Sequence, residues 1–146
     1  MIALACDHGA YALKETIKKH LQDKGYEVKD FGTYSEDSCD YPDFGAPAAR
    51  AVASGECEKG IVMCTTGIGI SISANKVKGV RCALLSDPVS ARLTRQHNDT
   101  NMMALGAGFV GPMLAKEIVD VWLGTEFAGG RHQRRVDKMM ALEQEG

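Results

Sequence analysis

Short runs of β-type residues alternate with helical patterns along the whole chain. The runs cover residues 2–6, 26–31, 60–64, 80–85 and 101–105. The helical patterns cover 11–24, 43–54, a segment after 69 that ends near 77, 88–96, 112–123 and 131–143. Because parallel strands joined by helices are buried on both faces, the alternation predicts a Rossmann-like three-layer α/β/α fold, with a five-stranded parallel sheet and an extra C-terminal helix.

Length, charge and cysteine content narrow the class of protein. The chain has 146 residues and a formal net charge of −2, which predicts one domain over 1–146 and argues against a nucleic-acid partner. No stretch matches the ~20 apolar residues of a membrane span, and the sequence begins with a strand pattern rather than a leader, so we expect a cytoplasmic protein. The five cysteines are odd in number and form no C-x-x-C pair, so neither disulfides nor a metal site is expected.

The expected topology places a ligand site at one point of the sheet. A doubly wound sheet binds its ligand beyond the carboxyl ends of its strands, where the strand order reverses. In the common order 2-1-3-4-5, that point lies between strands one and three. It brings the loop 7–9 beside the loop 65–69, and these loops hold the densest reactive chemistry in the chain.

Cys64 ends the third strand, and a helix begins just after it. Backbone N–H groups at a helix start bind anions and favour a thiolate nearby. Cys64 is therefore a candidate base, although a lone strand cysteine is more often a buried structural residue. The glycine loop also resembles the start of a dinucleotide fingerprint, but Ile72 occupies the third glycine position. The predicted anion hole consists of the N–H groups of Gly67, Ile68, Gly69, Ile70 and Ser71.

Histidine and arginine candidates occur later in the chain. His97 follows the fourth helix, which places it at the amino edge of the sheet, so it serves the site only if a second subunit delivers it. By itself it would be a surface histidine at a helix C-terminus. Arg131 and Arg135 share one face at the start of the last helix, where positive charge opposes the helix dipole. This pattern indicates phosphate binding, and the alternative is a solvated basic face.

Five segments together resemble the B-type ribose-5-phosphate isomerases. They are CDHGAYALK (6–14), DYPDF (40–44), MCTTGIGISISANK (63–76), RQHNDTN (95–101) and GGRHQRRV (129–136). The resemblance implies interconversion of ribose 5-phosphate and ribulose 5-phosphate through an enediolate, in the pentose phosphate pathway and without a metal or organic cofactor. It also implies a homodimer with the active site at the interface, and it leaves open whether dimers pair into tetramers.

The resemblance assigns a role to each matching residue. Cys64 matches the base, and Thr66 and His97 match groups that open the sugar ring and move protons on its oxygens. Asp7 matches a ligand of the sugar hydroxyls, and Asn98 a residue beside the reacting carbons. The N–H groups of 67–71 match a hole for the enediolate, which is a donor array aimed at developing charge. The matches to phosphate contacts are His8, Arg131 and Arg135.

Two positions depart from the family pattern. Thr65 stands where most members have glycine, and Gly108 stands where members often carry an arginine that serves the neighbouring subunit's phosphate site. Thr65 is expected to narrow its loop. Gly108 cannot supply the positive charge, so we expect weaker phosphate binding or a shifted sugar preference.

Other functions are also compatible with parts of the sequence. Galactose-6-phosphate isomerases divide their site between two unlike subunits, whereas this chain holds all the segments together. An allose-6-phosphate isomerase would share nearly all of these residues. A non-catalytic nucleotide-binding α/β module would need a complete phosphate loop or an acidic ribose ligand, and neither is evident.

Overall fold

The computed structural model describes residues 1–145, in which five parallel strands form one sheet. The strands are β1 (Ile2–Cys6), β2 (Val28–Asp30), β3 (Lys59–Cys64), β4 (Cys82–Leu84) and β5 (Met102–Gly106). The helices are α1 (Tyr11–Asp23), α2 (Pro42–Ala53), α3 (Ile68–Asn75), α4 (Pro88–Asn98), α5 (Pro112–Gly124) and α6 (Arg131–Ala141). The predicted α/β fold, including its C-terminal helix, is confirmed. Among residues 1–145, no helix combines the length and apolar character needed to cross a membrane.

Two hydrophobic layers cover the two faces of the sheet. Successive residues of β1 point to opposite faces, so that Ile2 and Leu4 belong to one layer and Ala3 and Ala5 to the other. Helices α1 and α5 fill the first layer, and α2 and α3 fill the second. Every residue of β1 and β5 is buried. Burial on both faces is the physical reason for the unbroken apolar runs in the sequence.

The strand order is β2-β1-β3-β5-β4, so the predicted order 2-1-3-4-5 is wrong in its last two strands. β5 has five residues that are all buried, whereas β4 has only three and they are partly exposed. The longer apolar strand takes the interior position, and the shorter one takes the edge. This exchange places the loop after β5 directly beside the loop after β3, where the Gly108 N–H donates to the Thr65 carbonyl at 2.8 Å.

Helix α4 continues beyond its predicted end, through His97 to Asn98. Its C-cap, Asp99, has a left-handed backbone with φ of 46°, and two arginines hold this turn. Arg95 donates to the Asp99 carboxylate at 2.9 Å, and Arg81 donates to the Asp99 carbonyl at 2.6 Å. His97 therefore lies in the last turn of a helix, not in the following loop as the sequence predicts.

A buried lysine braces the loop beside the end of β1. Lys14 is fully buried, and its Nζ donates to the Asp30 carboxylate at 2.7 Å and to the Thr33 carbonyl at 2.6 Å. Burial by itself raises the pKa of Asp30, but hydrogen bonds, chiefly from Lys14 and the Gly32 N–H, outweigh it and hold that pKa below its usual value. The Thr33 N–H donates to the Cys6 carbonyl at 2.8 Å, so the ion pair supports the strand end that leads into the site.

A side chain pairs with the outer edge of β4. The Asn75 amide, at the end of α3, donates to the Cys82 carbonyl at 2.9 Å, and its oxygen accepts the Cys82 N–H at 2.8 Å. A further strand would satisfy the same two backbone groups. The strand at the opposite edge, β2, is also only three residues long.

Candidate active site

A cavity of about 490 Å³ opens at the carboxyl edge of the sheet, beyond the ends of β1 and β3. The sequence predicts the site at this place, and the loops 7–9 and 65–69 lie together there: a Cβ placed on Gly9 would overlap Thr65 Oγ1. We name it the Cys64 cavity. Its lining residues are Asp7, Tyr41, Cys64, Thr65, Thr66, Ile68, Gly69 and Ile72.

Cys64, the last residue of β3, lines the cavity with little exposure to solvent. The Gly67 N–H donates to its Sγ at 3.1 Å. This backbone N–H lies at the start of α3 and directs a hydrogen-bond donor at the sulfur. This arrangement suits a sulfur that takes a proton from a ligand and returns it.

Gly67 makes the tight turn between β3 and α3 sterically feasible. Its backbone is left-handed, with φ of 75°. A Cβ at this position would lie 2.8 Å from the carbonyl carbon of Leu105 and 2.9 Å from the nitrogen of Gly106. Because those atoms belong to the backbone of β5, no larger residue fits without moving a central strand. The turn holds the Gly67 N–H in line with the sulfur of Cys64.

The other N–H groups of the predicted anion hole are not equally available. Ile68 donates its N–H to Thr66 Oγ1 at 3.1 Å, and Ser71 uses its N–H in the first hydrogen bond of α3. The N–H groups of Gly69 and Ile70 belong to the first turn, where a helix has no preceding carbonyl to accept them. Of these two residues, Gly69 lines the cavity, whereas Ile70 is fully buried, so the N–H of Gly69 is the donor that the helix start offers to a ligand.

Asp7 and His8 come from the loop after β1. Asp7 is buried, and its Oδ1 accepts the Gly9 N–H at 2.9 Å. The Cys39 N–H donates to Nδ1 of the half-buried His8 at 3.2 Å. Nδ1 is therefore the unprotonated nitrogen, and Nε2 carries the ring proton. His8 thus presents an N–H donor, which suits a phosphate or sugar oxygen.

Tyr41 lines the cavity, although sequence reasoning did not single it out. Its ring lies against the helix start, because a Cβ on Gly69 would be 2.6 Å from Tyr41 Cζ. The residue precedes α2, and its carbonyl accepts the Gly45 N–H at 2.9 Å. The segment DYPDF contains it, but an aromatic residue before a helix has no chemistry that marks it as functional.

The remaining candidates lie at the opposite, amino edge of the sheet. His97 and Asn98 end α4, shortly before β5 begins. The His97 ring stacks on His132 of α6, with ring centroids 4.4 Å apart and planes inclined by 15°. We name this group, together with Arg131 and Arg135, the His97 cluster. Within one chain it is separated from the Cys64 cavity by the length of β5, roughly 15 Å.

The His97 cluster concentrates positive charge. Partial burial lowers the pKa of His132, and the neighbouring His97, Arg131 and Arg135 lower it further. Guanidinium groups beside imidazole rings form a surface that binds anions, phosphate above all. His132 was not among the candidates from the sequence, since only its contact with His97 distinguishes it from other surface histidines.

Comparison with known proteins identifies the family. The model of the Ribose/Galactose Isomerase family matches residues 2–139. The chain belongs to this family. Ribose-5-phosphate isomerase B of Escherichia coli strain K12 is 52% identical over 143 residues, which cover 98% of this chain and 96% of that protein. The predicted resemblance to B-type ribose-5-phosphate isomerases is confirmed.

Solved structures of family members share the fold of this chain. Ribose-5-phosphate isomerase B of Clostridium thermocellum has a TM-score of 0.97 and 53% identity, covering 99% of this chain and 97% of that one. The enzyme of Mycoplasma genitalium, solved with bound ribulose-5-phosphate, has a TM-score of 0.95 and 41% identity, covering 99% and 97%. The family likeness therefore extends from β1 to α6.

Proposed function

We propose that this chain is a ribose-5-phosphate isomerase that interconverts ribose 5-phosphate and ribulose 5-phosphate in the pentose phosphate pathway. It works in the cytoplasm, with Cys64 as the base and without a metal or organic cofactor. The observation that carries the proposal is the environment of Cys64, whose sulfur lines a cavity and accepts a backbone N–H at the start of α3. Membership of the Ribose/Galactose Isomerase family supports the reaction class.

The proposed reaction moves one proton between neighbouring carbons of the open-chain sugar. The Cys64 thiolate removes the C2 proton, the C2–H electron pair forms a C1=C2 double bond, and negative charge moves to O1. A proton then passes from O2 to O1, while the C1=C2 pair takes the proton back from the thiol at C1 and the C2=O2 bond forms. Thr66 and His97 open the sugar ring and carry the proton between the oxygens.

The other predicted residues bind and stabilise the substrate in this proposal. The N–H of Gly69 stabilises the enediolate, because preorganised donors act most strongly on charge that develops in the transition state. Asp7 binds the sugar hydroxyls, and Asn98 lies beside the reacting carbons. The phosphate is held by His8, Arg131 and Arg135.

The proposed enzyme is a homodimer in which the His97 cluster of one copy completes the Cys64 cavity of the other. Each chain carries both halves at opposite edges of its sheet, so a two-fold dimer that joins these edges builds two equivalent sites. Exposed isoleucines on α3 support a contact at the cavity: Ile68 is 49% exposed and Ile72 is 54% exposed. Apolar side chains grouped beside a site are typical of an interface.

Incubation with ribose 5-phosphate tests the proposal directly. We expect conversion to ribulose 5-phosphate with a kcat/KM higher than that for allose 6-phosphate. It should also be higher than that for unphosphorylated ribose, since only a phosphorylated sugar engages Arg131 and Arg135. Conversion of allose 6-phosphate alone would contradict the proposed substrate. If none of the three sugars were converted, the isomerase proposal itself would be contradicted.

A further inference from the structure

Thr65 fills the gap between the loops that follow β1 and β5. Because β3 lies between those two strands, Thr65 has one loop on each side. Its Oγ1 occupies the space that a Cβ on Gly9 would need. On the other side, its carbonyl oxygen and Cγ2 lie 3.0 Å and 3.4 Å from the Cβ position of Gly108. Both neighbours are glycines, so the side chain that fills the gap belongs to Thr65.

Thr65 is also one of the residues that line the Cys64 cavity, together with Asp7 and Thr66. A β-branched residue has few rotamers, and its neighbours here are backbone atoms of Gly9 and Gly108. The Gly108 N–H also donates to the Thr65 carbonyl at 2.8 Å. Thr65 is exposed to solvent, but these contacts on both sides restrict the rotation of its side chain away from a larger ligand.

We propose that Thr65 selects sugar length, so that the Cys64 cavity accepts five-carbon aldose phosphates in preference to six-carbon ones. The inference rests on the proposed function and adds a specificity residue to it. Oγ1 and Cγ2 of threonine are one oxygen and one carbon. A hexose 6-phosphate exceeds a pentose 5-phosphate by the same two non-hydrogen atoms.

The length of the sugar matters because both of its ends are fixed in the proposed complex. C1 and C2 lie at the sulfur of Cys64, and the phosphate lies at His8 and the arginines of the second copy. An added CHOH unit therefore displaces the chain sideways, towards the wall that Thr65 forms. The family model is described for both ribose and galactose, so sugars of either length are within the range of this fold.

The test compares kcat/KM for ribose 5-phosphate and allose 6-phosphate in the wild type, Thr65→Ala and Thr65→Val. Thr65→Ala removes Oγ1 and Cγ2, and the preference for the pentose should fall about tenfold or more, since even one methylene in a substrate pocket changes discrimination about tenfold. Thr65→Val keeps the branched shape and loses only the hydroxyl, so it should keep the wild-type preference. Thr65→Ser keeps Oγ1 alone and should fall between them.

An unchanged preference in Thr65→Ala would overturn the proposal. A shift in Thr65→Val as large as in Thr65→Ala would also overturn it, because the hydroxyl and not the volume would then be responsible. If Thr65→Ala does not fold, an unchanged preference for the pentose in Thr65→Ser would overturn the proposal instead. A wild-type protein that converts neither sugar would overturn the proposed function as well, whereas a wild type that is active on ribose 5-phosphate confines any failure to sugar selection.

Discussion

The Cys64 cavity and the His97 cluster hold their functional groups in different ways. At the carboxyl edge, the groups are a buried sulfur and backbone N–H donors, fixed by a left-handed Gly67 that touches the backbone of β5. At the amino edge, they are long cationic side chains and an exposed His97 stacked on a neighbouring ring. Proton transfer at carbon needs closely fixed geometry, which backbone groups provide. Anion binding tolerates more movement, so flexible side chains suffice for it.

The largest expected effect separates these two tasks. Cys64→Ala removes the proposed base and leaves the His97 cluster unchanged, so kcat for ribose 5-phosphate should fall about 10²–10⁴-fold. The inhibition constant of inorganic phosphate should stay the same, because the proposed phosphate contacts are His8, Arg131 and Arg135 and not Cys64. Steady-state kinetics with phosphate as a competitor measure both quantities. If the variant kept more than a tenth of the wild-type kcat, another residue would be the base.

The second prediction asks whether the two regions meet across a dimer. Cys64→Ala and His97→Ala chains should each be inactive as homodimers. After mixing and re-equilibration, about a quarter of the wild-type activity should return, since half of the dimers are mixed and each has one intact site of two. A mixture of Cys64→Ala with the double variant Cys64→Ala/His97→Ala is the control and should stay inactive. No recovery in the first mixture would disprove the shared site.

A cation added at the carboxyl edge should give the Cys64 cavity a charged anion-binding side chain like those of the His97 cluster. Gly108 does not have a left-handed backbone, so arginine is conformationally allowed there, although its Cβ would lie 3.0 Å from the Thr65 carbonyl oxygen. Gly108→Arg should lower KM for ribose 5-phosphate by about tenfold, because a hydrogen bond to a charged group contributes roughly 1.5–3 kcal/mol.

Two controls isolate the charge in this experiment. Gly108→Gln has a long polar side chain without charge and should leave KM near the wild-type value. Unphosphorylated ribose should respond to neither variant. An equal change with arginine and glutamine, or with both sugars, would mean that position 108 acts through the backbone or the interface.

The smallest expected effect concerns the protonation of the stacked pair. Partial burial and the cations around His132 lower its pKa, so it stays neutral to lower pH than an ordinary histidine. Its contribution to stability is therefore complete above about 6.5, the usual histidine value, and is lost as the pH falls through the lowered pKa. NMR titration should show a midpoint below that usual value, and a midpoint at or above it would contradict the assignment.

A pair of variants on α6 tests the cause of this shift. Arg135→Gln removes one of the charges that lower the pKa of His132, so the midpoint should rise. Arg134→Gln is the matched control, because Arg134 lies about 100° around the helix from Arg135. The same rise in both variants would point to the net charge of the helix rather than to the charge next to His132.

Local pattern predicts most of the fold and part of the site. The apolar run that ends at Cys64, followed by a glycine turn, predicts a strand, a turn and a helix, because each depends only on neighbouring residues. The order of β4 and β5 in the sheet cannot be predicted from neighbouring residues in this way. Both runs are apolar, and the shortness of β4 becomes evident only in the folded chain.

The site residues differ in the same way: some follow from local pattern, and others depend on contacts made only in the folded chain. Cys64, Asp7 and Thr66, which line the cavity, are predicted from the sequence because they lie at or just after the ends of strands. Tyr41 is missed because only the folded chain places its ring against the helix start. The contact between Thr65 and Gly108 depends on β5 lying beside β3, so no local pattern contains it. The joining of the two regions in one dimer stays a prediction.

The two hydrogen bonds between Asn75 and Cys82 also bear on how copies of this chain behave when crowded. An open sheet edge is a template on which another extended chain adds, and such growth leads to aggregates and fibrils. Here the Asn75 amide already occupies both backbone groups of Cys82, and the opposite edge strand is three residues long with charged Lys29 at its centre. On the β4 side, one amide side chain thus protects the molecule from uncontrolled self-assembly.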